Sequence, residues 1–250
     1  MKINIITGGS RGLGRSMALN LADKGQDSII TYHSRKADAE TVVRAIAGKG
    51  RKALALQLDV SKPASFTAFA AEVKKALAAT WQRDSFDHLV NNAGTGLNGS
   101  IASTSEADFD ELVNIHLKAP FFVTQKLLPL MANNGKIINV SSGLARFSIP
   151  ERSAYAMMKG GIEVFTRYLA KELADRRISA NTLAPGAIAT DFGGGVVRDN
   201  PQFNAQLAAQ TALGRVGEAD DIGALAAAML SEDFRWVNGQ RIEASGGFFL

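Results

Sequence analysis

Short runs of apolar residues alternate with longer amphipathic stretches along the chain. The apolar runs predict strands at residues 3–7, 28–32, 53–58, 87–91, 136–141, 178–184 and 240–243. The amphipathic stretches predict helices at residues 17–24, 40–49, 65–78, 106–131 and 153–176. Alternation of this kind favours a doubly wound parallel α/β sheet of about seven strands, with helices on both faces. Ligands of such sheets bind beyond the carboxyl ends of the strands.

Composition limits the classes of protein that the chain can represent. No Pro/Ser-rich linker, low-complexity tract or internal repeat divides the sequence, so we predict one domain over residues 1–250. Cysteine is absent, and the three dispersed histidines predict no metal site. No apolar stretch approaches the roughly 18 residues of a membrane span, and the N-terminus is unlike a secretory signal. We therefore expect a cytoplasmic protein.

The net charge of +4 comes from 28 basic and 24 acidic side chains that are interspersed along the sequence. A nucleic-acid-binding surface would need a concentrated basic stripe with interleaved aromatic residues. The pattern instead indicates an ordinary solvated surface and no nucleic-acid partner.

A glycine-rich segment lies directly between the first predicted strand and the first predicted helix. It reads Thr7-Gly8-Gly9-Ser10-Arg11-Gly12-Leu13-Gly14. Glycines allow a tight turn that approaches a pyrophosphate closely, and free N–H groups at a helix start favour its negative charge. An ordinary strand-to-helix loop can also be rich in glycine. The position between a strand and a helix favours nucleotide binding.

A second cluster of small and amide residues ends the fourth predicted strand, with the sequence Asn91-Asn92-Ala93-Gly94. Amide side chains can fix a neighbouring backbone or a ribose, and small residues permit close approach. The segment alone could be a simple turn. Its place at the same sheet edge as the glycine-rich segment favours a role in cofactor binding.

Three side chains with acid–base chemistry surround the end of the fifth predicted strand. Ser142 follows that strand, while Tyr155 and Lys159 lie at positions i and i+4 of the next predicted helix, on one face. A free phenol has a pKa of about 10, so proton release at neutral pH requires a nearby positive charge. Lys159 can supply that charge, and the Ser142 hydroxyl can hydrogen-bond the reacting oxygen. Tyr155 is therefore predicted to transfer the proton.

Taken in order, these segments resemble the short-chain dehydrogenase/reductase family, and the resemblance runs from Ile3 to Gly247. It extends to Pro185-Gly186 and the Thr190 that follows them. The resemblance implies a single-domain Rossmann fold and hydride transfer between a nicotinamide cofactor and a carbonyl or alcohol. It also implies a homotetramer, for which residues 236–247 resemble the C-terminal strand and interface of the family.

The resemblance assigns roles to individual residues as well. It implies Tyr155 as general acid/base, Ser142 as the residue that orients the substrate, and Lys159 as the residue that holds the ribose and lowers the pKa of the tyrosine. Asp59 and Val60 resemble the pair that contacts the adenine in the family. The implied cofactor-binding residues are Gly8, Ser10, Arg11, Gly12, Leu13, Gly14, Tyr32, His33, Ser34, Arg35, Asp59, Val60, Asn91, Ala93, Gly94, Tyr155, Lys159, Pro185, Gly186, Ile188 and Thr190.

One position departs from the family pattern. The family usually has an asparagine in the helix before the fifth strand, where it supports a water that links the catalytic lysine to solvent, and this chain has His116. We hypothesise that His116 substitutes for the asparagine as a catalytic residue and titrates near neutral pH. The alternatives are a histidine that only packs in the helix, and Asn114 in the role of the asparagine.

The end of the second predicted strand indicates which nicotinamide cofactor is used. An NAD-preferring site needs a carboxylate there for the ribose hydroxyls, whereas a 2′-phosphate needs cations. The sequence reads Tyr32-His33-Ser34-Arg35-Lys36, without an acid before Asp38, and Arg11 lies in the glycine-rich segment. These residues predict NADP(H) in preference to NAD(H), with Tyr32 on the adenosine side.

The substrate is less well defined than the cofactor. The predicted substrate pocket is largely apolar and consists of Gly96, Leu97, Leu144, Phe147, Ile149 and Phe192. Residues 188–217 resemble the variable substrate lid of the family. We expect an NADPH-dependent reductase of ketones or aldehydes of some hydrophobic character. The alternatives are a 3-oxoacyl-[acyl-carrier-protein] reductase, with Arg146, Arg152, Arg167 and Lys171 as candidate docking residues, and a catalytically inactive nucleotide-sensing regulator.

Overall fold

The computed structural model describes residues 1–250 and confirms the predicted fold class. Seven parallel strands form one sheet in the order β3-β2-β1-β4-β5-β6-β9. Their bounds are β1 Ile3–Ile6, β2 Asp27–Tyr32, β3 Ala53–Gln57, β4 Phe86–Asn91, β5 Met131–Val140, β6 Ser179–Pro185 and β9 Arg241–Ala244. A separate two-stranded sheet pairs β7 (Ile188–Ala189) with β8 (Gly217–Glu218).

Nine α-helices connect the strands. They are α1 Gly12–Asp23, α2 Lys36–Gly48, α3 Phe66–Trp81, α4 Glu106–Val113, α5 Ala119–Leu127, α6 Ser153–Glu172, α7 Val196–Asp199, α8 Pro201–Ala209 and α9 Ala219–Met229. The short helix α7 and the helices α8 and α9 were not among the predicted elements.

Helices cover both faces of the sheet because successive strand residues point to opposite sides. Ile5 belongs to one buried cluster with residues of α3 and α5, and the adjacent Ile6 belongs to another with residues of α1, α2 and α9. Ile29 and Ile30 divide between the two clusters in the same way. The inner strands are therefore buried on both faces, which explains why they read as apolar runs rather than as alternating patterns.

The helix predicted over residues 106–131 is interrupted. It divides into α4, a π-helical turn over Asn114–Lys118, α5 and a 3₁₀ turn over Leu128–Leu130, and β5 begins at Met131. The amphipathic pattern persists through these changes, which is why it predicted one helix. No helix combines the length and the apolar character that a membrane crossing requires.

Strand order reverses between β1 and β4, which are neighbours although the chain visits β2 and β3 between them. The loops that leave these two strands diverge to opposite sides and open a crevice at their carboxyl ends. The glycine-rich segment follows β1, and Asn92 follows β4. The fold therefore brings the first two predicted motifs to the same crevice.

Candidate functional site

The glycine-rich segment has two positions at which only glycine fits. Gly8 has a φ of +68°, and a Cβ there would lie 2.9 Å from the Cα of Ala93. A Cβ on Gly14 would lie 2.3 Å from the carbonyl oxygen of Gly8. The helix α1 then begins at Gly12 without a side-chain cap from Arg11, so its first N–H groups are available to an anion.

The two asparagines at the end of β4, Asn91 within the strand and Asn92 after it, have different roles. The Asn92 amide donates to the carbonyl oxygen of Thr7 at 2.8 Å and so fixes the glycine-rich segment. The Asn91 amide instead points into the sheet, where it donates to Asn139 at 2.8 Å and to Thr124 at 3.0 Å. Both hydrogen bonds hold the Asn91 side chain inside the core, so contact with the cofactor at this position would come from the backbone, and the assignment of Asn91 to cofactor binding stays a prediction.

The segment from Pro185 to Thr190 returns to the same crevice. Gly186 approaches the strand end at β9 so closely that a Cβ would lie 2.8 Å from the Cα of Ser245. Thr190 is buried, and a Cβ added to Gly12 would lie 3.8 Å from the Cβ of Thr190. A narrow gap between Gly12 and Thr190 therefore lies beside the start of α1.

Ser142, Tyr155 and Lys159 come together at the end of β5. The Nζ of Lys159 donates to the carbonyl oxygen of Val140 at 2.8 Å and lies 5.5 Å from the Tyr155 ring centroid. Ser142 begins a 3₁₀ turn, and its hydroxyl accepts from the Leu144 N–H at 3.2 Å. The Tyr155 side chain is buried on the same helix face as Lys159.

Burial dominates the ionisation of this group. It lowers the pKa of Lys159 to about 8. It also raises the pKa of Tyr155 above its ordinary value, against the opposing effects of the Ser142 hydroxyl and the positive charge of Arg152. The expected lowering of the tyrosine pKa by Lys159 is therefore not observed in the structure, because desolvation of the phenolate is the larger effect.

His116 lies in the π-helical turn and contacts Tyr155 edge to face, with ring centroids 5.2 Å apart. Its Nε2 lies 2.8 Å from the carbonyl oxygen of Thr95, and a Cβ on Gly94 would lie 2.8 Å from its Cε1. Burial, reinforced by the charge of Lys159, lowers the pKa of His116 to about 3. The expectation that His116 titrates near neutral pH is therefore wrong.

Cations gather beside the end of β2 and the glycine-rich segment, as predicted for a 2′-phosphate. Arg35 pairs with Asp38 at 3.5 Å, and Arg11 pairs with Asp191 at 3.6 Å. Asp191 also forms an ion pair with Arg198. The hydrogen bond from Arg198, with further contributions from Arg11 and Arg35, lowers the pKa of Asp191. Asp191 is thus an anion at the edge of this cationic region. Sequence reasoning predicted the cations and missed Asp191.

Asp59, the predicted adenine contact, is already engaged at the end of β3. Its carboxylate accepts a hydrogen bond from the Ser61 hydroxyl at 2.6 Å and lies 3.5 Å from the His33 ring. The predicted partner Val60 packs against the buried cluster under α3 and α5. Asp59 and His33 therefore lie together at the adenosine side of the crevice.

A small cavity opens beside Tyr155, and its wall is more polar than predicted. Leu97 contributes an apolar side together with Leu112 and Ala154. The polar residues of the wall, which sequence reasoning missed, are Asn98, Ser103, Thr104, Asp108 and Glu151. Except for Asp108 in the first turn of α4, they lie in the loops after β4 or before α6, where no periodic pattern reveals which side chains face inward.

The predicted pocket residues divide into two groups. Leu97 and Leu144 pack against the cluster that contains Tyr155, and Phe192 lies with its ring centroid 6.1 Å from that of Tyr155. Phe147 and Ile149 instead pack with a separate cluster around Phe248, where the Phe147 and Phe248 rings are 5.2 Å apart. The structure thus places these two residues with Phe248 rather than with Tyr155, and their assignment to the substrate pocket stays a prediction.

A network of ion pairs lies behind Ser142 and was not predicted. Arg241 on β9 donates to Glu163 on α6 at 2.7 Å, to Glu243 at 2.7 Å and to the Ser142 carbonyl oxygen at 3.2 Å. Arg146 binds the opposite side of Glu243 through two hydrogen bonds of 2.8 Å. Glu163 follows Lys159 by one helical turn, and this spacing is the one sequence signal that pointed to the network.

The chain is similar to a known family and to known proteins over nearly its whole length. The family model described as Enoyl-(Acyl carrier protein) reductase matches residues 8–249. An uncharacterized oxidoreductase of Methylorubrum extorquens is 35% identical over 246 residues, which cover 98% of this chain and 97% of that protein. The 3-oxoacyl-[acyl-carrier-protein] reductase FabG of Staphylococcus epidermidis is 34% identical over 252 residues, covering 100% and 99% respectively.

Solved structures match over the same extent. The promiscuous reductase LugOII, which catalyses keto-reduction at C1 during lugdunomycin biosynthesis, has a TM-score of 0.94 and 35% identity and covers 100% of this chain and 98% of its own. The landomycin C-6 ketoreductase LanV, solved with bound NADP and rabelomycin, has a TM-score of 0.90 and 32% identity, with coverage of 99% and 96%. The similarity therefore spans the complete crevice and both of its sides.

Proposed function

The chain belongs to the short-chain dehydrogenase/reductase family, and from that membership we propose that it reduces a ketone or aldehyde to an alcohol with NADPH. The observation that carries this proposal is the assembly of Ser142, Tyr155 and Lys159 beside the glycine-rich crevice. Reduction of a carbonyl requires a hydride and a proton. The crevice can receive the cofactor that supplies the hydride, and Tyr155 can supply the proton.

The crevice fits NADP(H), which supplies the hydride when bound. Gly8 and Gly14 permit the close backbone approach that a pyrophosphate requires, and the uncapped start of α1 offers N–H donors. We assign Arg11 and Arg35 to the 2′-phosphate, because both lie at the crevice edge where an NAD-preferring site would have a carboxylate. Lys159 is proposed to hold the ribose.

Tyr155 is proposed to donate the proton to the carbonyl oxygen as negative charge develops on it. Its raised pKa keeps the phenol protonated at neutral pH, which suits a donor in the direction of reduction. Ser142 is proposed to hydrogen-bond the same oxygen and hold it within reach of the phenol. Both groups lie at the end of β5 or on the following helix, so the fold positions them on rigid elements.

His116 is proposed to support Tyr155 and Lys159 as a neutral side chain. Its Nε2–H donates to the Thr95 carbonyl oxygen, which leaves Nδ1 as a buried acceptor without a protein partner. Nδ1 can accept a hydrogen bond from a water that exchanges protons with Lys159. In this role His116 offers a lone pair and does not change its own charge, in contrast to a titrating relay.

Three wider features complete the proposal. Residues 188–217 are proposed to be the substrate lid, because they carry Phe192 to Tyr155. A homotetramer is supported by the exposed apolar residues Phe121, Phe122 and Val164 on α5 and α6, and by Trp236, which is 96% exposed. A cytoplasmic location is proposed because the reaction draws on the NADPH of the cell interior. Size-exclusion chromatography with light scattering tests the assembly, and cell fractionation tests the location.

The alternative substrate is a 3-oxoacyl group on an acyl carrier protein, which the 34% identity to FabG supports. An enzyme that acts on such a carrier protein needs a free basic surface at the mouth of its pocket, where the carrier protein docks. Arg146 is engaged by Glu243, Arg152 donates to Asn98, and Asp108 and Glu151 face the cavity. These contacts favour a small substrate. No observation favours an inactive regulator.

The proposal is tested by following NADPH oxidation with a panel of ketones, aldehydes and acyl thioesters. Tyr155→Phe is expected to lower turnover by about 100-fold or more, because the proton donor is lost, while NADPH affinity is retained. Tyr168→Phe is the matched control, since Tyr168 lies on the same helix and is exposed. NADPH binding without turnover of any substrate would favour the regulator instead.

A further inference from the structure

The aromatic ring of Phe192 lies beside the ring of Tyr155. The two ring centroids lie 6.1 Å apart with the planes tilted by 55°. The other edge of the Phe192 ring lies against Gly96, where a Cβ would be 3.0 Å from Cε1 and 3.1 Å from Cζ. The ring therefore occupies the space between Gly96 and Tyr155.

The connections of Phe192 hold it on one side and allow movement on the other. Asp191, the residue before it, forms ion pairs with Arg198 and with Arg11. Residues 193–195 after it are glycines with φ values of +62°, +76° and +78°, a region that other residues rarely adopt. The Phe192 residue is 47% exposed, so only part of its surface is in contact with the protein.

We infer that the Phe192 ring stands in the position of an aromatic ring of the substrate, and that the preferred substrate is an aryl ketone or aryl aldehyde. This inference rests on the proposed function, because it requires the carbonyl to lie within reach of the Tyr155 phenol. The protein itself demonstrates that a phenyl ring fits there.

The surroundings of this place favour an aromatic ring over an aliphatic group of equal size. Tilted ring pairs contribute about 0.5–1.5 kcal/mol beyond their buried area. Leu97 and Leu144 extend the apolar surface, since both pack against the cluster that contains Tyr155. Gly96 admits the ring edge because it has no side chain. An aliphatic substituent would gain the buried area alone.

The test measures binding rather than turnover. Acetophenone and cyclohexyl methyl ketone, which are similar in size, are titrated by calorimetry into the enzyme saturated with NADP⁺, so that no reduction occurs. We expect acetophenone to bind more tightly to the wild type. Phe192→Ala should tighten acetophenone binding by roughly 3- to 10-fold, because the competing ring no longer has to be displaced.

Gly96→Ala should weaken acetophenone binding by about 10-fold, because its methyl group lies where the ring edge has to fit. Phe192→Leu, which keeps an apolar side chain without a ring, should bind acetophenone with intermediate affinity. Thermal unfolding and NADP⁺ affinity check that each variant is folded. If Gly96→Ala is unfolded, the two Phe192 variants carry the test.

Equal affinity of the wild type for the two ketones would overturn the inference, as would weaker acetophenone binding in Phe192→Ala. Because no reaction takes place in this assay, its outcome is separate from that of the proposed function. An enzyme that reduces ketones without preferring aromatic ones would retain the proposed function and lose the inference. An enzyme that binds acetophenone preferentially and reduces no ketone would retain the aromatic binding site and lose the proposed function, and the assignment of a preferred substrate with it.

Discussion

The two sides of the crevice are held by different kinds of contact. On the cofactor side, residues 7–14 are fixed by partly buried hydrogen bonds to Asn92 and by backbone approaches that exclude even a methyl group. On the substrate side, Asp191 and Phe192 are held by exposed ion pairs and a half-exposed ring. A fixed cofactor side suits one constant cofactor, whereas an adjustable substrate side can change with the molecule that it receives. Substitutions on the cofactor side should therefore cause large losses of binding, whereas substitutions on the substrate side should cause smaller, graded changes.

The largest effect is expected from Gly14→Ala, which breaks the fixed side. The new Cβ would lie 2.3 Å from the Gly8 carbonyl oxygen, and that backbone cannot move without the whole segment. NADPH affinity should fall by on the order of 100-fold, with a loss of about 1–3 kcal/mol in the free energy of unfolding. Fluorescence titration and thermal unfolding measure the two effects.

Gly160→Ala is the matched control for this change. A Cβ on Gly160 of α6 meets nothing within 4 Å. Because alanine favours a helix over glycine by roughly 0.5–1 kcal/mol, this variant should be slightly more stable and bind NADPH normally. Equal behaviour of the two variants would mean that the close approach at Gly14 is not needed.

Lys159→Met should raise the stability of the cofactor-free enzyme at neutral pH while abolishing turnover. Burial lowers the pKa of Lys159 to about 8, and this shift corresponds to a penalty of about 3 kcal/mol when the amine is protonated in the folded state. The penalty is complete below pH 8. It disappears as the pH rises from about 8 to the unfolded value of about 10.4, because the unfolded chain then binds the additional proton.

Urea unfolding at pH 7 and pH 10.5 checks this expectation. The free energy of unfolding of Lys159→Met should exceed that of the wild type at pH 7 and approach it at pH 10.5. Arg198→Gln, which removes an exposed cation from the substrate side, should change little at either pH. A stability gain in Lys159→Met that is independent of pH would show that packing, rather than charge burial, is responsible.

Removal of Arg11 and Arg35 together tests whether the cationic edge belongs to the cofactor side. NADPH affinity should fall by roughly 10-fold or more, because the loss of even one charged hydrogen bond to the 2′-phosphate costs about 1.5–3 kcal/mol, while NADH affinity should be unchanged. Arg44→Ala removes another exposed cation from α2 and is the control. Equal losses for both cofactors would remove the two arginines from the 2′-phosphate site.

The smallest effect is expected in the pH profile of His116→Leu. With a pKa of about 3, His116 stays neutral throughout the range in which turnover is measured. Turnover should fall by a few-fold with an unchanged profile between pH 6 and 7, and His116→Asn should retain activity. An ionisation near pH 6.5 that is present only in the wild type would restore the titrating relay.

The order of motifs was predictable from the sequence because it follows from local patterns. The glycine-rich segment, Asn92 and the Tyr155–Lys159 pair each occupy the end of a recognisable strand or one helix face. Parallel strands with their carboxyl ends at one edge then bring the motifs together. The strand bounds agree closely for the same reason, apart from β5, which begins at Met131.

The direction of individual side chains was not predictable. Asn91 and Asn92 are adjacent and chemically identical, and they face opposite ways because strand residues alternate. Phe147 turns away from the cavity because Phe248, about a hundred positions later in the chain, offers it an aromatic contact. The low pKa of His116 depends on burial in a π-helical turn, which the amphipathic pattern does not distinguish from an α-helix.

The ion pairs behind Ser142 also determine when during folding the site becomes complete. Arg241 lies on β9, the last strand of the chain, which pairs with β6 across the intervening lid and α9, and it binds both Glu163 and the Ser142 carbonyl oxygen. Parallel pairing of distant segments is slow, because a long loop must close before the contact forms. During refolding, helix content should therefore return before activity does, and the delay should equal the docking time of this last strand.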